Sequence, residues 1–478
     1  MYLGLDLGTS ALKGVVLTDT QTLVAEARAP LTVARPAAGW SEQAPADWLS
    51  ATHSVMEALK SQTDLGAIRA IGLSGHMHGA TLVNKSGDVL RPCILWNDTR
   101  SHVEAAKMDA WPEFREISGN IVFPGFTAPK LAWIRENEPE IFDACDKVLL
   151  PKDYLRFWLT GEAVSEMSDA AGTAWLDVGK RDWSDTLLKA TCLSRSHMPR
   201  LVEGSDASAP LRAELAKNWG LPQNILVAGG GGDNAATAVG VGIVKPGDAF
   251  VSLGTSGVLF AATDSFAPAP ETAVHSFCHA VPDTWHQMGV ILSAADALEW
   301  YARLVGQTPA TLTARLQAVQ APGSTLFLPY LGGERTPHND AQIRGALVGL
   351  EHATDTEAGT RAVLDGVSFA LRDCAEALKA TGTTLNSLIA VGGGSQSEVW
   401  LSAIATALNL QIDVPVDGDF GAAFGAARLA MMADGADSSI ATSPSIDRSI
   451  LPVKDLVQAY EDGYAHYRNT YPALRTLS

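Results

Sequence analysis

The sequence is short of positive charge: its 478 residues hold 35 Lys and Arg against 53 Asp and Glu, a formal net charge of −18. Nonspecific nucleic-acid affinity rests on Lys and Arg neutralising phosphates, so this balance argues against a nucleic-acid partner. It argues equally against docking on an anionic membrane surface. It leaves room for a small anion held by backbone amides. Cysteine is also scarce. Cys93, Cys145, Cys192, Cys278 and Cys374 are odd in number and form no CxxC pair, which suits reduced thiols in a cytoplasm better than a disulfide framework. No apolar run is long enough for a membrane span. The opening MYLGLDLGTS lacks a basic segment and reaches Asp6 at once, unlike a secretory signal.

What is present is ordinary globular composition, with 46% hydrophobic and 18% charged residues and 43 glycines. That excludes disordered and collagen-like chains. At roughly 100–200 residues per domain the length predicts two to four domains.

Internal similarity sharpens this. LGLDLGTSALKGVVL (3–17) and FVSLGTSGVLFAA (250–262) share one plan, an apolar run into Leu-Gly-Thr-Ser and a second apolar run. Both predict β-hairpins whose turns expose N–H groups and hydroxyls. ILVAGGGGDNAATAVGVG (225–242) and LIAVGGGSQSEVWLSAIATAL (388–408) each read as strand, Gly-rich turn and helix. Two similar α/β domains, 1–245 and 246–478, are the economical explanation, joined near 244–247. Periodicity predicts a strand over 68–73 and helices over 47–60, 129–137, 152–159, 294–305, 357–379 and 422–432. A Ser-, Ala- and Asp-rich surface connection over 435–452 is expected to lead into a last helix from 453 to about 471.

Several residues suit chemistry. Asp6 at a strand end, beside Gly8-Thr9-Ser10 and Lys13, suits a hydrated divalent cation and the phosphates it neutralises; an Asp satisfying turn amides is the plainer reading. Gly254-Thr255-Ser256 supplies a second such turn, so two hairpins could clamp one polyphosphate. No GxxxxGK[ST] is present. Asp233-Asn234 follows Gly229–Gly232, where Asp233 is either a helix cap or a ligand group at a helix start. Gly392-Gly393-Gly394 forms a matching turn, with Ser395 or Ser397 as its cap. His76-Met77-His78-Gly79 follows a strand, where sites of open α/β sheets gather, although exposed turn histidines explain it too. His275, Cys278, His279 and His286 lack the second Cys or nearby carboxylate of a zinc site. Trp96-Asn97-Asp98 and Lys152-Asp153-Tyr154 read as caps or sugar contacts.

Ten segments in order resemble the FGGY carbohydrate kinases: LGLDLGTSALKG, GHMHG, LWND, GFTAPKLAWIREN, LLPKDYL, SDAAGTAWLDV, GGGGDNAA, SLGTSGV, YLGGERTPHND and AVGGGSQSEVW. They run from residue 3 to about 428. The resemblance implies two ribonuclease-H-like (actin-like ATPase) domains with ATP, Mg2+ and sugar in an interdomain cleft. It implies Asp233 as general base and Asp6 as the acid near magnesium, reached through water. Met77 and His78 match the sugar-contacting pair, with Asn234 beside the base. Thr9, Ser10, Lys13, Thr255, Ser256, Gly393 and Gly394 fall in the nucleotide and phosphate turns. Two departures stand out: four glycines precede Asp233 where three are expected, and Ala358-Gly359 replace a polar–apolar pair.

The expected activity is ATP-dependent phosphorylation of D-xylulose at its 5-hydroxyl, with an Asp233 pKa near the usual carboxylate value of about 4. L-Ribulose, another ketose or a glycerol-like polyol is the alternative acceptor. An actin-like or Hsp70-like ATPase would need no GHMHG loop, and a sugar-responsive repressor would need a basic DNA-binding arm. The expected partner is a small sugar in the cytoplasm, with no nucleic acid and no membrane; a homodimer is compatible with this reading.

Overall fold

The computed structural model describes residues 1–416 and 420–477. The apolar runs of the two hairpin repeats form the centres of two mixed sheets. In the first, β1 (Tyr2–Leu7), β2 (Ala11–Leu17) and β3 (Leu23–Pro30) are antiparallel, and β4 (Ala70–Gly75) joins β1 in parallel. With β5 (Ala207–Pro210) and β6 (Leu226–Ala228) the order is β5-β6-β4-β1-β2-β3, and the short β7 (Gly231–Gly232) also pairs with β4. The second sheet contains β8 (Ala249–Leu253), β9 (Gly257–Thr263), β10 (His275–Cys278), β11 (Trp285–Ile291), β12 (Ser387–Val391), β13 (Gln411–Pro415) and β14 (Ile446–Ile450). Its order is β10-β11-β9-β8-β12-β13-β14.

Both sheets follow one plan: an antiparallel meander, two strands parallel to its first strand, and an antiparallel edge. This is the ribonuclease-H-like arrangement in duplicate. The two Gly-rich units are not equivalent within it, contrary to the reading of their sequences. β12 lies beside the hairpin strand β8 and so matches β4, whereas β6 matches β13. Gly runs recur wherever a strand end must turn tightly beside another backbone, so they do not by themselves report position.

Helices expected from periodicity occur within a turn of their predicted ends: α1 (Pro45–Lys60), α2 (Thr127–Asn137), α3 (Pro151–Thr160), α5 (Ala295–Leu304), α6 (Thr356–Ala380) and α8 (Ala422–Ala433). The Gly-rich turns lead into α4 (Asp233–Gly240) and α7 (Glu398–Leu408), and α9 (Val457–Arg475) closes the chain. The expected connection over 435–452 is not all loop, because β14 completes the edge beside β13. The Ala358-Gly359 departure has a packing cause: a Cβ on Gly359 would lie 1.9 Å from the Tyr301 hydroxyl.

Helices α4 and α8 couple the halves. Helix α8 comes from the second half of the chain yet packs on the first sheet, sharing a core with Tyr2, Val15 and Ala70. Contact is backbone on backbone: a Cβ on Gly72 would fall 1.7 Å from the Ala426 carbonyl, and one on Gly425 1.7 Å from that of Ala236. Ala238 of α4 belongs to a core with Phe250 and Ile389 of the second sheet. Buried Arg428 donates to the carbonyls of Val239 and Gly240 at 2.9 and 3.0 Å, which ties down the end of the helix that Asp233 begins.

Candidate functional site

Three strand ends bring the carboxylates together. Asp6 stands opposite Ser74 of β4, and Gly231 of β7 stands on the other side of the same Ser74. Asp233 therefore begins α4 about two strand spacings, roughly 10 Å, across the sheet edge from Asp6. Both side chains are half-buried. Burial pushes Asp6 up to about 6, helped by the charge of Asp233, while Ser74 and Lys13 oppose the rise. Asp6 Oδ1 is buried with no hydrogen-bond partner. Burial likewise raises Asp233 to about 6, above the ordinary carboxylate value expected from sequence. Asp233 Oδ1 accepts from the backbone N–H of Asn234 at 2.7 Å and from its Nδ2 at 3.1 Å. It is not a helix cap, because Gly232 occupies that position.

All four glycines before Asp233 are built into this turn. Gly230 has φ +79°, and a Cβ there would lie 2.1 Å from the Leu73 carbonyl. The turn rests on a buried charged cluster. Arg156 hydrogen-bonds the Gly229 carbonyl. Gly232 N–H donates to Ser168 Oγ at 3.0 Å, and that hydroxyl donates to Glu166 at 2.9 Å. Lys152 Nζ lies 2.8, 2.9 and 3.2 Å from Asp153, Asp169 and Glu166, all fully buried. Lys152 and Asp153 are thus neither caps nor sugar contacts but the foundation beneath the Asp233 turn. Their residue types gave no signal of this, since single charged residues in apolar helices usually reach solvent.

Met77 and His78 sit against the same turn. Met77 is buried beside Gly232, where a Cβ would meet its Cγ at 2.9 Å. His78 adopts φ +69°, stacks on Phe126 at 4.8 Å, and directs Nδ1 to the Gly172 carbonyl at 2.6 Å. Burial pulls it down to about 3. The ring is neutral, with Nδ1 as donor and Nε2 as acceptor. Lys130, not singled out from sequence, donates to the carbonyls of His78 and Gly125 at 2.7 and 2.5 Å and holds this loop. His76 is buried against Trp48, so the exposed-turn reading fails for it.

The two Thr-Ser hairpins form as expected. Gly8 N–H closes the first turn on the Ala11 carbonyl at 3.0 Å, and Thr9 Oγ1 accepts from Trp96 Nε1 at 3.0 Å. Ser10 is exposed, and Lys13 pairs with Glu26 at 3.2 Å on the face it shares with Asp6. In the second hairpin the Gly254 and Thr255 carbonyls accept from Ala295 and Ala294 at 2.9 and 2.8 Å, fixing that turn to the start of α5. Ser256 is half-buried beside exposed Thr255. Gly393 and Gly394 lie in a short 3₁₀ turn, and Ser397, not Ser395, caps α7. Two cavities flank this turn. One, of about 530 Å³, is lined by Thr255, Ala295, Leu298, Pro309, Gly393 and Trp400. The other, of about 490 Å³, is lined by Thr237, Gly392, Gln396 and Phe420. Sequence reasoning missed the walls supplied by Leu298 and Pro309, because ordinary apolar residues carry no motif.

Asp98 binds Arg100 and the Ser41 N–H, a structural role. His279 bonds the Ile243 carbonyl, and Cys278 the Val178 carbonyl. Among the described residues no group of three or more His, Cys, Asp or Glu side chains converges as a metal cage.

Two carboxylates at strand ends of one sheet and two cavities flanking a Gly-rich turn suit phosphoryl transfer to a hydroxyl. The comparisons agree. The chain is 48% identical to the xylulose kinase of Escherichia coli (strain K12) over 483 aligned positions, covering 100% of both chains. It is 48% identical to that of Klebsiella pneumoniae, over 98% of this chain and 96% of the relative. A solved structure described as a xyloylose kinase from Brucella ovis superposes with a TM-score of 0.99 at 60% identity, covering 100% of each chain. The N-terminal domain of the FGGY family of carbohydrate kinases matches residues 1–240 and its C-terminal domain 249–433. With the duplicated sheet and the paired carboxylates already in place, these matches leave one conclusion: the chain belongs to the FGGY family of carbohydrate kinases.

Proposed function

We propose that this chain transfers the γ-phosphoryl group of ATP to the 5-hydroxyl of D-xylulose, with Asp233 as general base. The observation that carries the mechanism is the placement of Asp6 and Asp233 at strand ends on either side of β4, with the Asp233 turn fixed from beneath. D-Xylulose is supported by full-length likeness to xylulose kinases and by the neutral His78 beside Met77. The reading includes a boundary at 245/246 and work in the cytoplasm, which the five free thiols support. Among the described residues no helix is long and apolar enough to cross a membrane.

The sugar hydroxyl sits against Asp233, with Asn234 beside it and Met77 packed on the carbons. Asp233 takes the hydroxyl proton as the oxygen–phosphorus bond forms and the bond from the γ-phosphorus to the bridging oxygen breaks, leaving ADP. In a loose transition state that proton is released late, so positioning matters more than basicity. Thr9, Ser10 and Lys13 on one half, and Thr255 and Ser256 on the other, offer donors to the phosphates. Gly393 and Gly394 allow the nucleotide close to the backbone, and the cavity at Leu298 and Pro309 takes the base. Asp6, with a buried unpartnered oxygen, fits magnesium held through water. When bound, the ion supplies charge neutralisation along the phosphates.

An ADP-release assay with D-xylulose, L-ribulose, glycerol and no sugar tests this. The highest kcat/KM is expected for D-xylulose. ATP turnover indifferent to sugar would replace the reading with a non-sugar actin-like ATPase.

A further inference from the structure

The groups leading away from the Asp233 turn form an ordered series. Gly232, next to Asp233 in the chain, packs against Met77, His78 follows, and His78 stacks on Phe126. Beyond Phe126, at 6.0 Å, lies His275 of β10. Asn120 and Ser276 exchange two hydrogen bonds at 2.9 and 3.0 Å, fastening β10 to the first half of the chain. Past His275 comes Arg335. Its guanidinium lies over the Phe123 ring at 4.5 Å, and Nη1 reaches His275 Nε2 at 3.4 Å. Among the described residues no carboxylate comes within salt-bridge distance of it. Its neighbour Glu334 instead accepts the N–H groups of Leu292 and Arg335 at 3.0 and 2.8 Å. The charge of Arg335 is felt at His78, one of the causes holding that ring neutral.

A half-buried guanidinium with donors to spare calls for an acceptor oxygen. His78 Nε2 offers the complementary function, a lone pair that takes a hydroxyl proton. We propose that Arg335 and His78 together read the end of the sugar remote from the reacting hydroxyl, with Arg335 donating to the ketone oxygen and His78 accepting from an adjacent hydroxyl. Arg335 is then a specificity residue for a hydroxyketone, contributed with His275 by the second half to a site whose Asp233, Met77, His78 and Phe126 come from the first. The assignment rests on the kinase reading above, in which the 5-hydroxyl meets Asp233.

The experiment compares D-xylulose with xylitol, which has a hydroxyl in place of the ketone. Arg335→Gln and Arg335→Lys are assayed beside the native enzyme for KM, kcat and, by tryptophan fluorescence, binding of both compounds. Arg335→Gln should raise the KM for D-xylulose by about 10- to 100-fold, the size of one charge-assisted hydrogen bond. The kcat, the KM for ATP and the affinity for xylitol should change little. Arg335→Lys keeps the charge without the fork and should recover part of the loss. An unchanged KM for D-xylulose overturns the assignment. So does an equal loss for xylitol, which would show that Arg335 only shapes the pocket. A fall in kcat at constant KM also overturns it, since that would place the cation at the transferring phosphoryl. Native turnover of D-xylulose tests the kinase reading; the ratio of variant to native tests this one.

Discussion

Replacing Asp233 with Asn keeps the size and the acceptor oxygen that Asn234 uses, and removes the charge. As the loss of a general base it should lower kcat by a factor on the order of 10²–10⁴, with nucleotide affinity nearly intact. The structure also predicts the effect on stability, with an unusual sign. Burial raises the Asp233 pKa from 3.8 to about 6, so the folded protein holds the proton more tightly than the unfolded chain. The stability this gives is complete below about pH 4 and is lost as pH rises through about 6. Above that, the ionised carboxylate destabilises the fold. Roughly two pKa units at about 1.4 kcal/mol each give an upper value near 3 kcal/mol. Because the side chain is partly open to water, about 1–2 kcal/mol is the working figure. Asp233→Asn should therefore melt a few degrees higher than the native protein at pH 8, and the difference should vanish near pH 4. Differential scanning fluorimetry across pH and single-turnover phosphorylation, run on the same preparation, read both quantities. A capping carboxylate would give the opposite pattern, a loss near 1 kcal/mol with activity kept. That result, or an active Asp233→Asn at any pH, would refute the base.

Native kcat/KM should rise with pH and level off above about 6, as Asp233 gives up its proton; a flat profile from pH 5 to 8 would show that its ionisation is irrelevant. Asp6→Asn should weaken metal-dependent turnover while sparing sugar affinity, and full activity at limiting magnesium would rule out its metal role. Because the donors proposed for the phosphates lie on both halves, D-xylulose with a non-hydrolysable nucleotide should compact the protein; small-angle scattering would contradict closure if the radius of gyration stays fixed. Ser168→Ala removes the acceptor for Gly232 N–H and should lower kcat by about 10-fold, as for a lost hydrogen bond of roughly 1–2 kcal/mol, with the KM for ATP unmoved. Equal kcat in that variant would mean the turn holds its shape without it.

The sequence by itself determined the hairpins, because Leu-Gly-Thr-Ser between apolar runs admits little but a tight turn between strands. It determined most helices through their apolar period, and it marked Asp6, Asp233, Met77 and His78 by position in recognisable segments. The tertiary structure decided which Gly-rich unit matches which. Strand neighbourhood depends on pairing between residues far apart in the chain, as β12 beside β8 and β6 beside β4 demonstrate. It decided that α8 crosses to the first sheet, since the close approach at Gly72 and Gly425 exists only after folding. It decided the Asp233 pKa as well, because desolvation depends on everything packed around a carboxylate and on nothing in its own residue type. Lys152 shows the limit most plainly. In the chain it is one more lysine near a helix start, and only folding encloses it among Asp153, Glu166 and Asp169, where burial without those partners would be prohibitive.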